Sequence, residues 1–303
     1  MKIVSLLPSA TEIVYALELE DHLVGVSCDC DYPSGASGKP VVSYSALNTD
    51  ANSTPASIDR DVRASMSASD PLYRLDREIV RELQPDLILA QDLCRVCAVP
   101  SGHVTEALAT IGCSSDVLSL DPHGLSDVLD DISRVARVSG SDERGERLVG
   151  SLRARIDAMR AATAGLETVT ALALEWADPP FTGGHWIPEM VGLAGGRDVI
   201  GVAGAPSRSC TWGEITKADA EVVVFMPCGF GLDDAVEQAS GLFEIPKFAA
   251  LSAARNGRIL AVDGSAYFSR PGPRLVDGLE ILAWAFHPQR FPAPPPGRAK
   301  WIA

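Results

Sequence analysis

Residues 90–99 read AQDLCRVCAV, with Cys94 and Cys97 three apart just after the apolar run PDLILA. Thiolates are soft ligands and nucleophiles, so this spacing suits half of a zinc site, a redox pair or the edge of a ligand pocket. A structural zinc needs four ligands, and Cys30, with Cys28 beside it, is the candidate to join Cys94 and Cys97; Cys228 is a more distant one. Against this, C-x-C spacing is unusual for zinc. A redox C-x-x-C opens a helix, whereas Pro100 and Ser101 put the next helix start beyond Cys97, which ranks that reading lower. Buried, inert cysteine is the plain alternative.

Other residues with chemical potential are few. His185, beside Trp186, can ligate a metal through a neutral imidazole or simply donate to a backbone carbonyl. Glu175 and Asp178 are close enough in sequence for acid–base work, although two carboxylates in one loop are ordinarily solvated. Ser9 lies in no G-x-S-x-G elbow and is expected to cap a helix through the box Ser9-Ala10-Thr11-Glu12. None of this requires catalysis, and the chain reads as a binder before an enzyme. An enzyme or metal-handling protein using Cys30, Cys94 and Cys97 is the alternative.

These residues sit in a chain of 303 residues with 40 acidic and 26 basic side chains, a formal charge of -14. Such a surface repels nucleic acid and anionic lipid. No apolar run approaches the roughly 20 residues needed to span a bilayer. The opening MKIVSLLPSATEI reads as a strand and a helix, and seven cysteines form an odd set without regular spacing. A cytoplasmic location is expected on those grounds, with a periplasmic or extracellular one if a leader has been removed.

The elements that must hold the chemistry alternate. KIVSLL then a helix, DREIVRELQ then DLILA, HVTEALATIG then DVLSL, and a helix over LSDVLDDISRVARV give an α/β pattern with parallel strands. Residues 48–70 read as a surface excursion with one or two helical turns. A helix over 141–165, with Leu148, Leu152, Ile156 and Met159 on one stripe, Ser141 as cap and Gly165 as stop, would be roughly 35 Å long. This defines an N-terminal lobe over 1–140, the linking helix over 141–165, and a C-terminal lobe over 166–303 ending in an irregular Pro-rich tail. PDLILAQDLC and AEVVVFMPC place Cys94 and Cys228 beyond corresponding strands, where open parallel sheets bind ligands.

DYP (31–33), DPPFTGGHW (178–186) with LAGG (193–196), and YFSRPGPR (267–274) carry a resemblance, supported more broadly by SLLPSATE and LQPDLIL. The chain resembles the helical-backbone solute-binding proteins of ABC importers, and within them the cobalamin-binding members. That resemblance implies two Rossmann-like lobes, each a parallel sheet flanked by helices, joined by one long rigid helix, with a corrinoid held edgewise between them. By resemblance its contacts would be Pro8, Ser9, Tyr32, Phe181, Thr182, Trp212, Tyr267, Phe268 and Arg270, while Cys94, Cys97, His185 and Trp186 join them from their place in the strand-end loops. Glu78 and Glu214 match the glutamates through which such proteins dock on a transporter.

Overall fold

The computed structural model describes residues 1–47, 53–68, 71–93 and 99–302. Cys94 and Cys97 fall outside the described residues. The chain divides into two compact units, one of residues 1–122 and 127–150, the other of residues 123–126 and 151–303.

The first unit runs β1 (Ile3–Ser5), α1 (Pro8–Ala16), β2 (Leu23–Ser27), β3 (Val41–Ser45), α2 (Pro55–Ala68), β4 (Tyr73–Leu75), α3 (Arg77–Leu83), β5 (Leu87–Ala90), α4 (Ser101–Ile111) and β6 (Asp116–Ser119). Then come α5 (Leu125–Val138) and α6 (Asp142–Thr163), which run into both units. The six strands lie in the order β4-β3-β2-β1-β5-β6, parallel except for β4 against β3. Every residue of β1 and β5 is buried, so IVS and LILA show no alternation: helices cover both faces of these central strands.

The second unit holds β7 (Val169–Ala177), β8 (Pro180–Thr182), α7 (Ile187–Leu193), β9 (Gly196–Asp198), α8 (Trp212–Ala218), β10 (Val222–Phe225) and α9 (Leu232–Gly241). Three short helices, α10 (Pro246–Ala249), α11 (Ser252–Arg255) and α12 (Gly264–Tyr267), flank β11 (Ile259–Val262), and α13 (Leu275–Phe286) and β12 (Ala299–Ile302) finish the chain. Its sheet runs β12-β11-β10-β7-β8, with β9 parallel to β7. Phe225, Phe248 and Leu174 anchor the core there.

Matching helices lead into the central strands of both units. Asp76 accepts the Glu78 and Ile79 N–H groups (3.1 and 3.0 Å) to start α3 ahead of β5. Thr211 and Glu214 form a reciprocal capping box that starts α8 ahead of β10. Gln84 and Asp219 close these helices in the left-handed conformation. α6 shows the expected buried stripe at Leu152, Ile156 and Met159, with Val149 in place of the part-exposed Leu148, and Gly165 follows it at φ +78°. α5 and α6 pack too closely for a side chain at Gly145, whose Cβ would strike that of Ala136.

Four expectations are corrected. The box at Ser9 does not form: Pro8 takes the first helical position of α1, and Leu7 stands at the cap without a side-chain bond. The Ser141 hydroxyl reaches back to Ser139 Oγ (2.8 Å) and the Ala136 carbonyl (3.3 Å), while its carbonyl, not its hydroxyl, meets the first turn of α6. Within residues 48–70, the described 55–68 form a 14-residue helix that buries none of its side chains, longer than one or two turns. The Pro-rich tail ends in a strand, β12, antiparallel to β11, because Trp301 and Ile302 have a sheet edge and a core to meet.

Candidate functional site

In the first unit the strand ends are held by polar side chains. Asp121, just past β6, accepts the backbone N–H groups of Asp92 (2.6 Å) and Leu93 (2.8 Å). Asp92 in turn accepts the N–H of Ser101 at 2.9 Å and its hydroxyl, which fixes the start of α4 after Pro100 as its sequence requires. Cys28 is exposed and Cys30 is buried at 4% exposure, both in the turn that follows β2, where Cys30 donates its N–H to Ser27 O at 3.0 Å. Thr11 Oγ1 lies 2.9 Å from Ser5 Oγ and 3.1 Å from Cys30 Sγ, so this thiol belongs to a buried polar cluster beneath α1. Pro8 is part-buried, Ser9 is buried, and Tyr32 stands out at 46% exposure.

In the second unit, β7 carries Glu175 and Trp176 just before its last residue, Ala177, and turns antiparallel into β8, which sets Trp176 opposite Phe181. Trp176 also meets Phe230, from the loop after β10, with ring centroids 5.7 Å apart. All three rings are part-exposed, so an aromatic wall forms at the carboxyl ends of β7 and β10. Phe181 is a candidate contact by resemblance, whereas Trp176 and Phe230 stand out in the sequence only as aromatic residues of the strand-end loops. The signal available for them was their place two and five residues past the apolar cores of their strands.

The GGHW segment follows β8. Gly184 admits no side chain, since a Cβ would strike the backbone of Ser207, and its N–H donates to Glu175 Oε1 at 3.0 Å. Burial pushes the Glu175 carboxyl up to about 8 despite that bond, with the nearby Cys228 and Asp198 adding to the rise. His185 sits at φ +50°, donating its N–H to Ala205 O (2.6 Å) and accepting from Gly204 N at 2.8 Å. Its ring stacks on Trp186 (centroids 5.6 Å) and lies 5.8 Å from that of His123. Burial and the His123 charge hold the His185 pKa below its ordinary value.

Several candidates are committed to the interior. Trp186 is 6% exposed and donates its indole N–H to Phe268 O at 2.8 Å. Phe268 is 1% exposed and Thr182 likewise, so both side chains are enclosed in this structure. Tyr267 is part-exposed, with the Arg298 and Arg274 guanidiniums 4.9 and 5.6 Å from its ring centre. Trp212, first residue of α8, is part-buried edge-on against Phe248. Arg270 is part-exposed in the YFSRPGPR turn.

Cys228 is exposed beyond β10, while Cys210 is buried, its thiol pushed up to about 11 chiefly by that burial. Among the described residues no group of three or more His, Cys, Asp and Glu is placed to hold a metal. Of the proposed Cys30, Cys94 and Cys97 set, only Cys30 lies in the described residues. Glu78 and Glu214 are both exposed, each in the first turn of the helix leading to β5 or β10. Glu214 additionally pairs with Arg208 at 3.3 Å. No helix among the described residues is long and apolar enough to cross a membrane.

Two α/β units with largely parallel sheets and a 22-residue helix shared between them are the architecture of two-lobed solute-binding proteins. The chain belongs to the periplasmic binding protein family, which matches residues 3–266. It is 26% identical over 302 residues to an uncharacterized ABC transporter substrate-binding lipoprotein of Bacillus subtilis, covering 96% of this chain and 81% of that one. Identity to a vitamin B12-binding protein of Vibrio cholerae is 25% over 282 residues, covering 92% and 86%. In fold it is similar to a periplasmic heme-binding protein of Roseiflexus, with TM-score 0.71, 24% identity and coverage of 95% and 98%. The crystal structure of the Vibrio cholerae periplasmic vitamin B12 binding protein gives TM-score 0.69 at 22% identity, with coverage of 94% and 96%.

Proposed function

We propose that this solute-binding protein holds a corrinoid, a cobalamin-like ligand, without chemically converting it. The observation that carries the reading is the part-exposed wall of Trp176, Phe181 and Phe230. Rigid aromatic faces suit a large flat macrocycle, since they bury wide area with little rotamer freedom to lose. Tyr267 and Arg270 add a ring and a guanidinium able to meet peripheral amides or carboxylates. Pro8, Ser9 and Tyr32 of the other unit are proposed contacts by resemblance, and Cys94 and Cys97 remain proposed neighbours of the ligand. The B12-binding relative supports a corrinoid, while the heme-binding structural neighbour keeps porphyrin as the competing macrocycle.

Glu78 and Glu214 are proposed to dock the loaded protein on an ABC importer, one from each unit. The description of the Bacillus subtilis relative as a transporter lipoprotein favours work outside the cytoplasm. The cytoplasmic expectation, which rests on the cysteine set, is the other outcome of fractionating cells that express the natural chain.

Offering the purified protein equimolar cyanocobalamin and hemin and passing it through gel filtration tests the ligand class. The reading expects the corrinoid spectrum to travel with the protein. Retention of hemin alone would replace the corrinoid by a porphyrin on the same wall.

A further inference from the structure

His123 and His185 come from sequence positions 62 apart and are held by the same short helix. His185 lies two residues before α7, its backbone pinned on both sides by Ala205 and Gly204 and its ring backed by Trp186. His123 leads a segment whose Leu125 N–H donates to Glu189 Oε2 at 2.9 Å, and Glu189 stands in the first turn of α7. Both imidazoles are thus referenced to one rigid frame. The exposed His123 ring leaves the pair open to solvent on its side.

We propose that His123 and His185 together form a seat for a divalent late first-row transition ion, such as Zn²⁺, Ni²⁺ or Co²⁺, with its remaining coordination positions open to water or a chelating solute. Imidazole nitrogens bind such ions at about 2.0–2.1 Å, which puts two rings sharing one ion roughly 5–6 Å apart between centroids. The observed 5.8 Å lies in that range. Imidazole is a preferred donor for these ions, whereas Mg²⁺ and Ca²⁺ prefer oxygen. Because no third His, Cys, Asp or Glu joins the pair among the described residues, the seat suits an ion that arrives with partners of its own. This site is separate in kind from the aromatic wall and does not depend on a corrinoid.

The test uses the metal alone. Calorimetric titration of the full chain with Zn²⁺ should show one saturable equivalent, and His123→Gln or His185→Asn should each weaken it by on the order of tenfold or more. Asn is chosen at 185 because it tolerates the left-handed backbone there. His22→Gln and His103→Gln should titrate as the parent does. Without any substitution, paramagnetic Ni²⁺ should broaden the ring signals of His123 and His185 in the parent before those of His22 and His103. No saturable Zn²⁺ uptake by the parent, unchanged affinity in both pair variants, or broadening that reaches His22 and His103 equally would overturn the proposal.

Discussion

Glu175 Oε1 accepts the N–H of Gly184 at 3.0 Å, tying the end of β7 to the segment that carries His185 and Trp186. The carboxyl is pushed up to about 8 chiefly by burial, well above the value near 4.3 of an unfolded chain. A raised acid binds its proton more tightly in the folded state, so its contribution to stability is complete below about pH 4 and is lost as pH rises toward 8. Glu175→Gln keeps an acceptor for Gly184 and removes that loss. The variant should gain on the order of 3 kcal/mol relative to the parent between pH 5 and pH 8.5, read by denaturant unfolding at both pH values. Asp131 and Asp198 shift in the same direction, which is why the difference between variant and parent is the quantity to measure. Parallel profiles for the two proteins would mean that Glu175 is ionised in the fold.

The wall predicts a loss of affinity without a loss of fold. Replacing Trp176 and Phe230 together by Ala should weaken corrinoid binding by on the order of 2 kcal/mol, about 30-fold, because two aromatic faces go. Trp284→Ala should leave it unchanged, since that ring pairs with Trp301 on α13 and β12, away from the wall in the chain's topology. Equal affinities for the double variant and the parent would move the ligand elsewhere.

Phe268 behaves oppositely. At 1% exposure its truncation to Ala should cost about 3–5 kcal/mol of stability, while any protein that remains folded binds ligand nearly as the parent does. Unfolding curves and titrations on the same samples separate the two effects. A stable variant that has lost binding would return Phe268 to the ligand wall.

Thiol reactivity should follow burial. In a Cys94→Ser, Cys97→Ser background, two thiols, Cys28 and Cys228, should react quickly with an aromatic disulfide reagent, and Cys30, Cys113 and Cys210 slowly. The high Cys210 pKa strengthens its place among the slow ones. Rapid labelling of Cys30 would contradict its position beneath α1, 3.1 Å from Thr11 Oγ1.

The lobes were legible because buried parallel strands such as LILA and VVVF are short apolar runs between helical periods, a local signal. The C-terminal end of α6 and the start of α4 were legible for the same reason: Gly165 and Pro100 act on their own backbone. The box at Ser9 failed because a neighbouring Pro8 supplied the first helical position, and the β12 strand was missed because a Pro-rich stretch gives no hint that a sheet edge awaits its end. Among the candidates, the resemblance supplied Phe181, Tyr267 and Phe268 and the strand-end loops supplied His185 and Trp186, but neither could sort exposed rings from buried ones. Phe268 and Tyr267 are adjacent in sequence, yet one is enclosed and the other is not, a difference set by packing across the unit. The His123–His185 approach joins two loops 62 positions apart, which no local pattern encodes.

The central claim, that this chain is a corrinoid-binding member of its family, is tested most directly by calorimetric titration of the unmodified protein with cyanocobalamin. The account predicts one saturable equivalent at roughly micromolar affinity or tighter, about 8 kcal/mol or more of binding free energy. Absence of saturable heat with cyanocobalamin and with its base-free analogue cobinamide would contradict it.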